Sequence, residues 1–76
     1  MARKAFDHFE AVSAVVPVEG GYNAAIAVKA IDGTGTARFH TVLEGQIFKT
    51  ANEADLAAAK ELTHLKDVKE NTDLLW

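Results

Sequence analysis

Histidine and carboxylate side chains are the groups in this 76-residue sequence that could act as bases, acids or metal ligands near neutral pH. The histidines stand far apart, at His8, His40 and His64, and no pair has a His-x-His or His-x-x-x-His spacing. The acids form only loose pairs, which are Asp7 with Glu10, Glu53 with Asp55, and Glu61 with Asp67. No residues around them mark a pocket, so we expect separate surface groups, with neither a metal site nor a catalytic pair.

The motifs of common enzyme classes are also missing. The sequence has no Gly-x-Ser-x-Gly, no phosphate-binding loop and no dinucleotide fingerprint. Gly33-Thr34-Gly35 is predicted to be a turn, because a strand rather than a helix follows it. The absence of cysteine excludes disulfides, thiolate metal sites and thiol nucleophiles. We therefore predict a protein that is not an enzyme, uses no cofactor and has no evident small-molecule substrate.

The composition predicts one small domain, residues 1–76. Hydrophobic residues make up 49% of the chain, but many are alanines, which bury little area, so we expect a net stability of only about a few kcal/mol. A partner or a second copy would add to it. The formal net charge of -3 provides no general attraction to nucleic acid or anionic lipid. Since the chain has neither a membrane-length apolar run nor a signal-peptide pattern, the predicted location is the cytoplasm.

The elements that must position any site begin with a predicted hairpin. Residues 9–18 are rich in β-branched side chains and form the first predicted strand, with Pro17 suited to an edge or a strand end. A short helix over residues 3–10 is an alternative, because apolar side chains there recur at helical spacing. Glu19-Gly20-Gly21 is the predicted turn into the second strand.

The second predicted strand, residues 22–32, is apolar on both faces. Ala24, Ile26, Val28 and Ala30 lie on one face, and Ala25, Ala27 and Ile31 on the other. A strand with one face in water alternates more cleanly, so this strand is predicted to be central, with its second face covered. Asp32-Gly33-Thr34-Gly35 is the predicted turn after it.

The third predicted strand spans residues 36–50. Phe39, Thr41 and Leu43 are assigned to one face, and Arg38, His40, Val42 and Glu44 to the other. Gly45 interrupts this alternation. It is either a bulge or part of a turn into a short fourth strand.

Residues 50–65 are predicted to form the helix. Thr50 and Glu53 form a capping box at its start. An apolar stripe, made of Ala51, Ala54, Ala58, Leu62 and Leu65, is predicted to lie on the sheet. The sequence thus predicts an α+β fold with a three-stranded antiparallel sheet, or a four-stranded one, packed against a single C-terminal helix.

The segments outside these elements are predicted to be tails, residues 1–8 and 70–76, either flexible or in contact with a partner. The polar run of residues 69–73 is expected to fray and is followed by Leu74-Leu75-Trp76. These apolar residues either fold back over the open face of the sheet, dock on a second copy, or dock on a different protein. Trp is the residue type most enriched at binding hot spots.

The order β-β-β-α with an Ala-rich last helix resembles a double-stranded RNA-binding domain in topology. That family carries a lysine cluster at the start of this helix, whereas residues 49–55 here contain one lysine and two acids. The sequence also resembles small bacterial proteins of uncharacterised function. The shared residues are Gly20, Gly21, Tyr22, Phe48, Thr50, Glu53 and Ala54, and they imply the fold without an activity.

We therefore predict a small binding module that acts as a homodimer or an accessory subunit, through the helix-free side of the sheet and the C-terminal tail. The candidate contact residues are Ala25, Ala27, Ile31, Leu74, Leu75 and Trp76. The alternative is a weak nucleic-acid-binding domain that uses the sheet. Its candidate residues are Lys29, Arg38 and Lys49, with Tyr22 or His40 beside them.

Overall fold

A computed structural model describes residues 2–31, 33, 37–43, 45–69 and 73–76. A four-stranded antiparallel sheet, in the order β1-β2-β3-β4, packs against one helix, and a two-stranded sheet follows it. The strands of the larger sheet are β1 (Arg3–Ala5), β2 (Phe9–Val18), β3 (Gly21–Ala30) and β4 (Arg38–Thr41). The helix is α1 (Ala51–Leu62), and the small sheet consists of β5 (Asp67–Val68) and β6 (Leu74–Leu75). The α+β fold predicted from the sequence is confirmed.

The β2–β3 hairpin is the centre of the sheet. Its ladder runs from Phe9 opposite Ala30 to Val18 opposite Gly21, so all ten residues of each strand are paired. Gly20 has a φ of 88° in the connecting turn, a conformation that side chains with a Cβ rarely adopt. The bounds of β2 are those predicted from its β-branched run.

The fourth strand of the sheet is N-terminal. Arg3 pairs with Val12 and Ala5 with Glu10, and the amide of Ser13 donates to the carbonyl of Ala2 at 2.8 Å. The helix considered for residues 3–10 is therefore wrong. An extended segment can satisfy its backbone groups on the open edge of β2, whereas a helix this short would be marginal.

The path of the chain along the β4 side of β3 explains why Gly45 interrupts the alternation of faces. Thr41 pairs with Ala25, and the amide of Val42 donates to the carbonyl of Ala24 at 3.0 Å. The chain then leaves this edge in a turn, in which the amide of Gln46 donates to the carbonyl of Leu43. It returns to the same edge of β3 where Phe48 bridges Tyr22. Gly45, with a φ of 87°, thus lies in a turn that leads to a bridge instead of a further strand.

The assignment of Leu43 to the face of Phe39 and Thr41 is wrong. Leu43 has a φ of 53°, which breaks the strand alternation, and its side chain packs with Val42 against the core on the helix side. The turn predicted at Asp32-Gly33-Thr34-Gly35 lies outside the described residues except for Gly33. The amide of Gly33 donates to the carbonyl of Ala30 at 3.1 Å.

The helix begins as predicted, because the hydroxyl of Thr50 accepts a hydrogen bond from the amide of Glu53 at 3.1 Å. It ends at Leu62, three residues earlier than the predicted end, and Thr63 caps it. The apolar stripe is buried at Ala54, Ala58, Leu62 and Leu65, whereas Ala51 is exposed. Ala51 is exposed because it lies in the first turn of the helix, at the rim of the contact with the sheet.

The main core lies between the helix and one face of the sheet, which we call the helix-side face. The helix and the segment after it contribute Ala58, Leu62, Leu65 and Val68, and the sheet contributes Ala11, Ala24, Ile26 and Val28. One buried polar group crosses this core. The hydroxyl of Ser13 donates to a carboxylate oxygen of Asp55 and accepts from the amide of Ala2, both at 2.8 Å.

The C-terminal segment folds back, but not over the open face of the sheet. Val68 pairs with Leu74, and the amide of Lys66 donates to the carbonyl of Leu75 at 2.8 Å. Leu74 packs against the core between helix and sheet, so the hairpin continues the helix-side layer. Fraying was predicted for residues 69–73, of which residues 70–72 lie outside the described part of the chain. Among the described residues, no helix is long and apolar enough to cross a membrane.

Candidate functional site

The second face of the sheet, which we call the helix-free face, carries a separate apolar cluster. Directly paired residues lie on the same side of a sheet, so the register identifies the apolar residues of this face. They are Val12, Ala14 and Val16 of β2, Ala25 and Ala27 of β3, and Phe39 of β4. In the described part of the chain, the cluster on this face is made only of residues from β2 and β3, with Ala14, Ala25 and Ala27 buried and Val12 and Val16 partly buried.

The side chains at the centre of this face are short. Ala14 and Ala25 lie opposite each other, and each contributes only a methyl group above the backbone. Longer side chains, Val12 and Val16, stand two residues before and after Ala14 on β2. Ala25 is therefore fully buried by its neighbours even though it points toward the helix-free side.

Phe39 stands beside these short side chains and is the largest apolar side chain on the face. It lies directly opposite Ala27, and 60% of its surface is exposed. Complete burial of a phenylalanine side chain contributes about 1.5–3 kcal/mol. The exposed part of this ring would contribute its share only if a partner covered it. Sequence analysis missed Phe39, because alternation along β4 assigns a side chain to a face but does not show whether that face is covered.

Charged residues lie at one end of the helix-free face. Glu10 pairs with Lys29 across the β2–β3 ladder, and Arg3 forms a 2.7 Å salt bridge with Glu10. The carboxylate of Glu10 is largely buried, whereas the guanidinium of Arg3 is largely exposed. This end therefore presents both signs of charge next to the apolar cluster.

The candidate contact residues predicted from the sequence fall into two groups. Ala25 and Ala27 lie on the helix-free face. Leu74 packs on the helix-side core, and the exposed side chains of Leu75 and Trp76 belong to that same hairpin region. Ile31 lies one residue beyond β3, is exposed, and donates its amide to the carbonyl of His8. The structure thus does not join the tail and the alanines into one surface.

The three candidate nucleic-acid contacts are also separated. Lys29 lies on the helix-free face, and Arg38 pairs with Val28 and so lies on the helix-side face. Lys49 follows the bridge at Tyr22, which is seven residues from Lys29 on β3, or about 23 Å along an extended strand. No single basic patch contains all three. Binding of nucleic acid stays a prediction of the sequence alone.

A second feature is a cavity of about 630 Å³ beside the C-terminal hairpin. His40 of β4, Glu61 of α1, and Lys69, Asp73 and Trp76 of the hairpin region line it. The three histidines are not brought together, and the described residues contain no group of three or more possible metal ligands. Sequence reasoning missed this cavity, because it exists only once the C-terminal hairpin has folded against β4 and the helix.

Comparison of the chain with protein-family models, with curated proteins and with solved structures returned no match. The resemblance to double-stranded RNA-binding domains and to small bacterial proteins stays a prediction. Any functional conclusion for this chain rests on its own geometry.

Proposed function

We propose that this chain is a non-catalytic interaction module that forms a homodimer through its helix-free faces. The observation that carries the proposal is the exposed ring of Phe39 beside the short, buried side chains of Ala14, Ala25 and Ala27. A projecting aromatic ring on a face of short apolar side chains can pack against the same face of a second copy. Aromatic side chains are the typical anchors of protein interfaces.

The arrangement suits a two-fold symmetric pair. In such a dimer the same patch serves both copies, so Phe39 of each copy can pack against the short side chains of the other. Two sheets packed face to face lie about 10 Å apart, which brings side chains of both into contact. The short side chains keep the centre of the face low, so the ring can meet the facing sheet without displacing its backbone.

The charges at the end of the face are compatible with self-association. Arg3, Glu10 and Lys29 provide both signs within one region, so a second copy can place its acid near a base of the first. A face with one sign of charge would repel its own copy. The mixed signs therefore favour a second copy of this chain over a strongly charged partner.

The size of the face predicts a weak dimer. The face is four strands wide, and the longer strands each place about four side chains on it. These dimensions give an area on the order of 500 Å² per copy. Stable interfaces bury about 800 Å² per partner. We therefore expect dissociation constants on the order of micromolar or weaker, and a population of dimer that depends on protein concentration.

The test is the solution mass across a concentration series for the intact chain, Phe39→Ala and Leu56→Ala. Leu56 is the matched control, because 62% of its surface is exposed and it lies on the helix. We expect the mass to rise above the 8.2 kDa of one chain, and Phe39→Ala to weaken association by at least about tenfold. Leu56→Ala should leave it unchanged. A single-chain mass at every concentration, or equal association in the three proteins, would contradict the proposal.

A role as an accessory subunit of a larger assembly belongs to the same proposal, with the helix-free face as the contact surface. The cytoplasm as the location and a bacterium as the source are likewise proposals from the sequence. An interface between chains would also add stability to a domain of 76 residues, for which a single small core contributes little.

A further inference from the structure

The cavity beside the C-terminal hairpin lies mainly on the side of the sheet opposite the proposed dimer interface, and Thr41 of the helix-free face borders it. His40 pairs with Ile26 and therefore belongs to the helix-side face, and Leu74, which also lines the cavity, packs on the helix-side core. A volume of about 630 Å³ is within the range of small-molecule sites, about 300–1,000 Å³. What binds here can therefore be tested independently of self-association.

Three polar groups that line this cavity have no partner within the described part of the chain. The Nε2 atom of His40 is buried and has no hydrogen-bond partner in the described part of the chain. Lys69 uses its backbone amide in the hairpin, but among the described residues its ammonium group forms neither an ion pair nor a hydrogen bond. The carboxylate of Glu61 likewise has no partner among these residues. A buried nitrogen without a partner loses the free energy of its hydrogen bond to water, which a ligand could restore.

The lining groups differ in charge, and this determines the kind of ligand. Lys69 provides a cation, while Glu61 and Asp73 provide carboxylates. A simple anion would meet two carboxylates, and a simple cation would leave the Lys69 ammonium unused. A molecule that carries both a carboxylate and an ammonium group matches both signs.

The rest of the described lining consists of Thr41 and of apolar and aromatic residues. Leu74 and Trp76 border the cavity, and 48% of the surface of Trp76 is exposed. An indole ring at the mouth of a cavity can pack against an apolar group of a ligand and exclude water from it. An apolar side group on the ligand would therefore add contact area.

We propose that this cavity binds a small zwitterion, an α-amino acid with an apolar side chain. Lys69 binds its carboxylate, Glu61 its ammonium group, and Trp76 contacts its side chain. The Nε2 atom of His40 either donates to the carboxylate or accepts from the ammonium group, according to its tautomer.

Trp76 provides the measurement, because it is the only tryptophan in the sequence and its fluorescence reports on this cavity alone. The intact chain is titrated with L-phenylalanine, with phenethylamine, which has only the ammonium group, and with hydrocinnamate, which has only the carboxylate, each to about 10 mM. We expect a saturable blue shift with phenylalanine, and binding at least about tenfold weaker for each analogue. The absence of a saturable change with phenylalanine, or equal binding of an analogue, would overturn the proposal.

Variants then test the assigned residues. Lys69→Met and Glu61→Gln are each expected to weaken phenylalanine binding by about tenfold, since each removes one charged hydrogen bond. Lys49→Met and Glu19→Gln make the same chemical changes at exposed positions outside the cavity and should bind as the intact chain does. Unchanged affinity in Lys69→Met and Glu61→Gln, with thermal unfolding as the check that they fold, would also overturn it.

Discussion

The helix-side and helix-free faces belong to the same strands, but they differ in side-chain size and in what packs on them. On the helix-side face, β3 contributes Ile26 and Val28, and these pack with Leu62 and Leu65 into a core that involves the helix. On the helix-free face, β3 contributes Ala25 and Ala27, and their described neighbours are the valines of β2. One face is thus buried by a second layer of the same chain. On the other face, short side chains are buried by their neighbours in the sheet, and the large ring of Phe39 remains exposed.

The difference shows that burial of a residue does not by itself identify a covered face. Ala24 and Ala25 are adjacent and both fully buried, yet only Ala24 contributes to the core beneath the helix. The exposed fraction of Phe39 distinguishes the two faces better than the burial of the alanines does. Substitutions in the helix-side layer should therefore cost more free energy of unfolding than their matched controls outside it.

Leu62→Ala should have the largest effect on folding. Leu62 is almost fully buried between helix and sheet, so its truncation should lower the free energy of unfolding by about 3 kcal/mol. Chemical denaturation measures this change. Leu56→Ala on the outer side of the same helix removes the same atoms and should cost less than about 0.5 kcal/mol. Equal losses at Leu56 and Leu62 would mean that the helix does not pack as described.

Leucine substitutions at the adjacent positions 24 and 25 test the two faces of the same strand. Ala24→Leu must place three extra carbon atoms between the sheet and the helix-side core, and overpacking of this kind costs about 2 kcal/mol. Ala25 is also fully buried, but its described neighbours belong to the sheet alone, so Ala25→Leu should cost less than Ala24→Leu at low protein concentration. The larger side chain changes the shape of the helix-free face and should weaken self-association by about tenfold. A reversal of these two results would contradict the distinction between the faces.

Ser13→Ala tests the polar contact within the helix-side core. The hydroxyl group connects the amide of Ala2 with the carboxylate of Asp55, so its removal should lower the free energy of unfolding by about 1.5 kcal/mol. Thr41→Val is the control on the opposite face, because Thr41 is exposed there and pairs with Ala25. It should change the free energy of unfolding by less than about 0.5 kcal/mol. Thermal or urea denaturation of both variants makes the comparison.

Thr50→Ala should have the smallest effect, about 1 kcal/mol, because it removes the hydroxyl that accepts a hydrogen bond from the amide of Glu53. Thr50→Ser keeps the hydroxyl and is the matched variant. Circular dichroism during urea denaturation measures both. Equal stability of the two variants would show that the cap contributes nothing to the helix.

The local patterns predicted the β2–β3 hairpin and the start of the helix, because the β-branched run, Gly20 and the capping threonine act through neighbouring residues. β1 was missed, since three residues with two positive charges carry no strand signal and depend on the open edge of β2. β5 and β6 were missed for the same reason, because each has two residues and needs the other as its partner. Folding back over the open sheet face was one of three positions predicted for the tail, and Leu74 packs on the opposite side instead.

The candidate site was predictable only in part. The apolar pattern of β3 indicates that both of its faces are shielded from water, and this identified Ala25 and Ala27. Phe39 and the residues of β2 require the strand register, which depends on contacts between segments far apart in sequence. The cavity next to Trp76 requires the position of the C-terminal hairpin, which no local pattern encodes.

The central claim is that two helix-free faces meet, and a distance between copies tests it most directly. The chain has no cysteine, so Lys29→Cys and Leu56→Cys each provide one site for a spin label, the first at the rim of the helix-free face and the second on the helix. If the faces pack about 10 Å apart, labels at position 29 should lie within about 30 Å of each other in the dimer. Labels at position 56 should lie at least about 20 Å farther apart, because a helix about 10 Å thick lies outside each sheet. A shorter distance between the labels at position 56, or no dipolar coupling at position 29 at high protein concentration, would contradict the account.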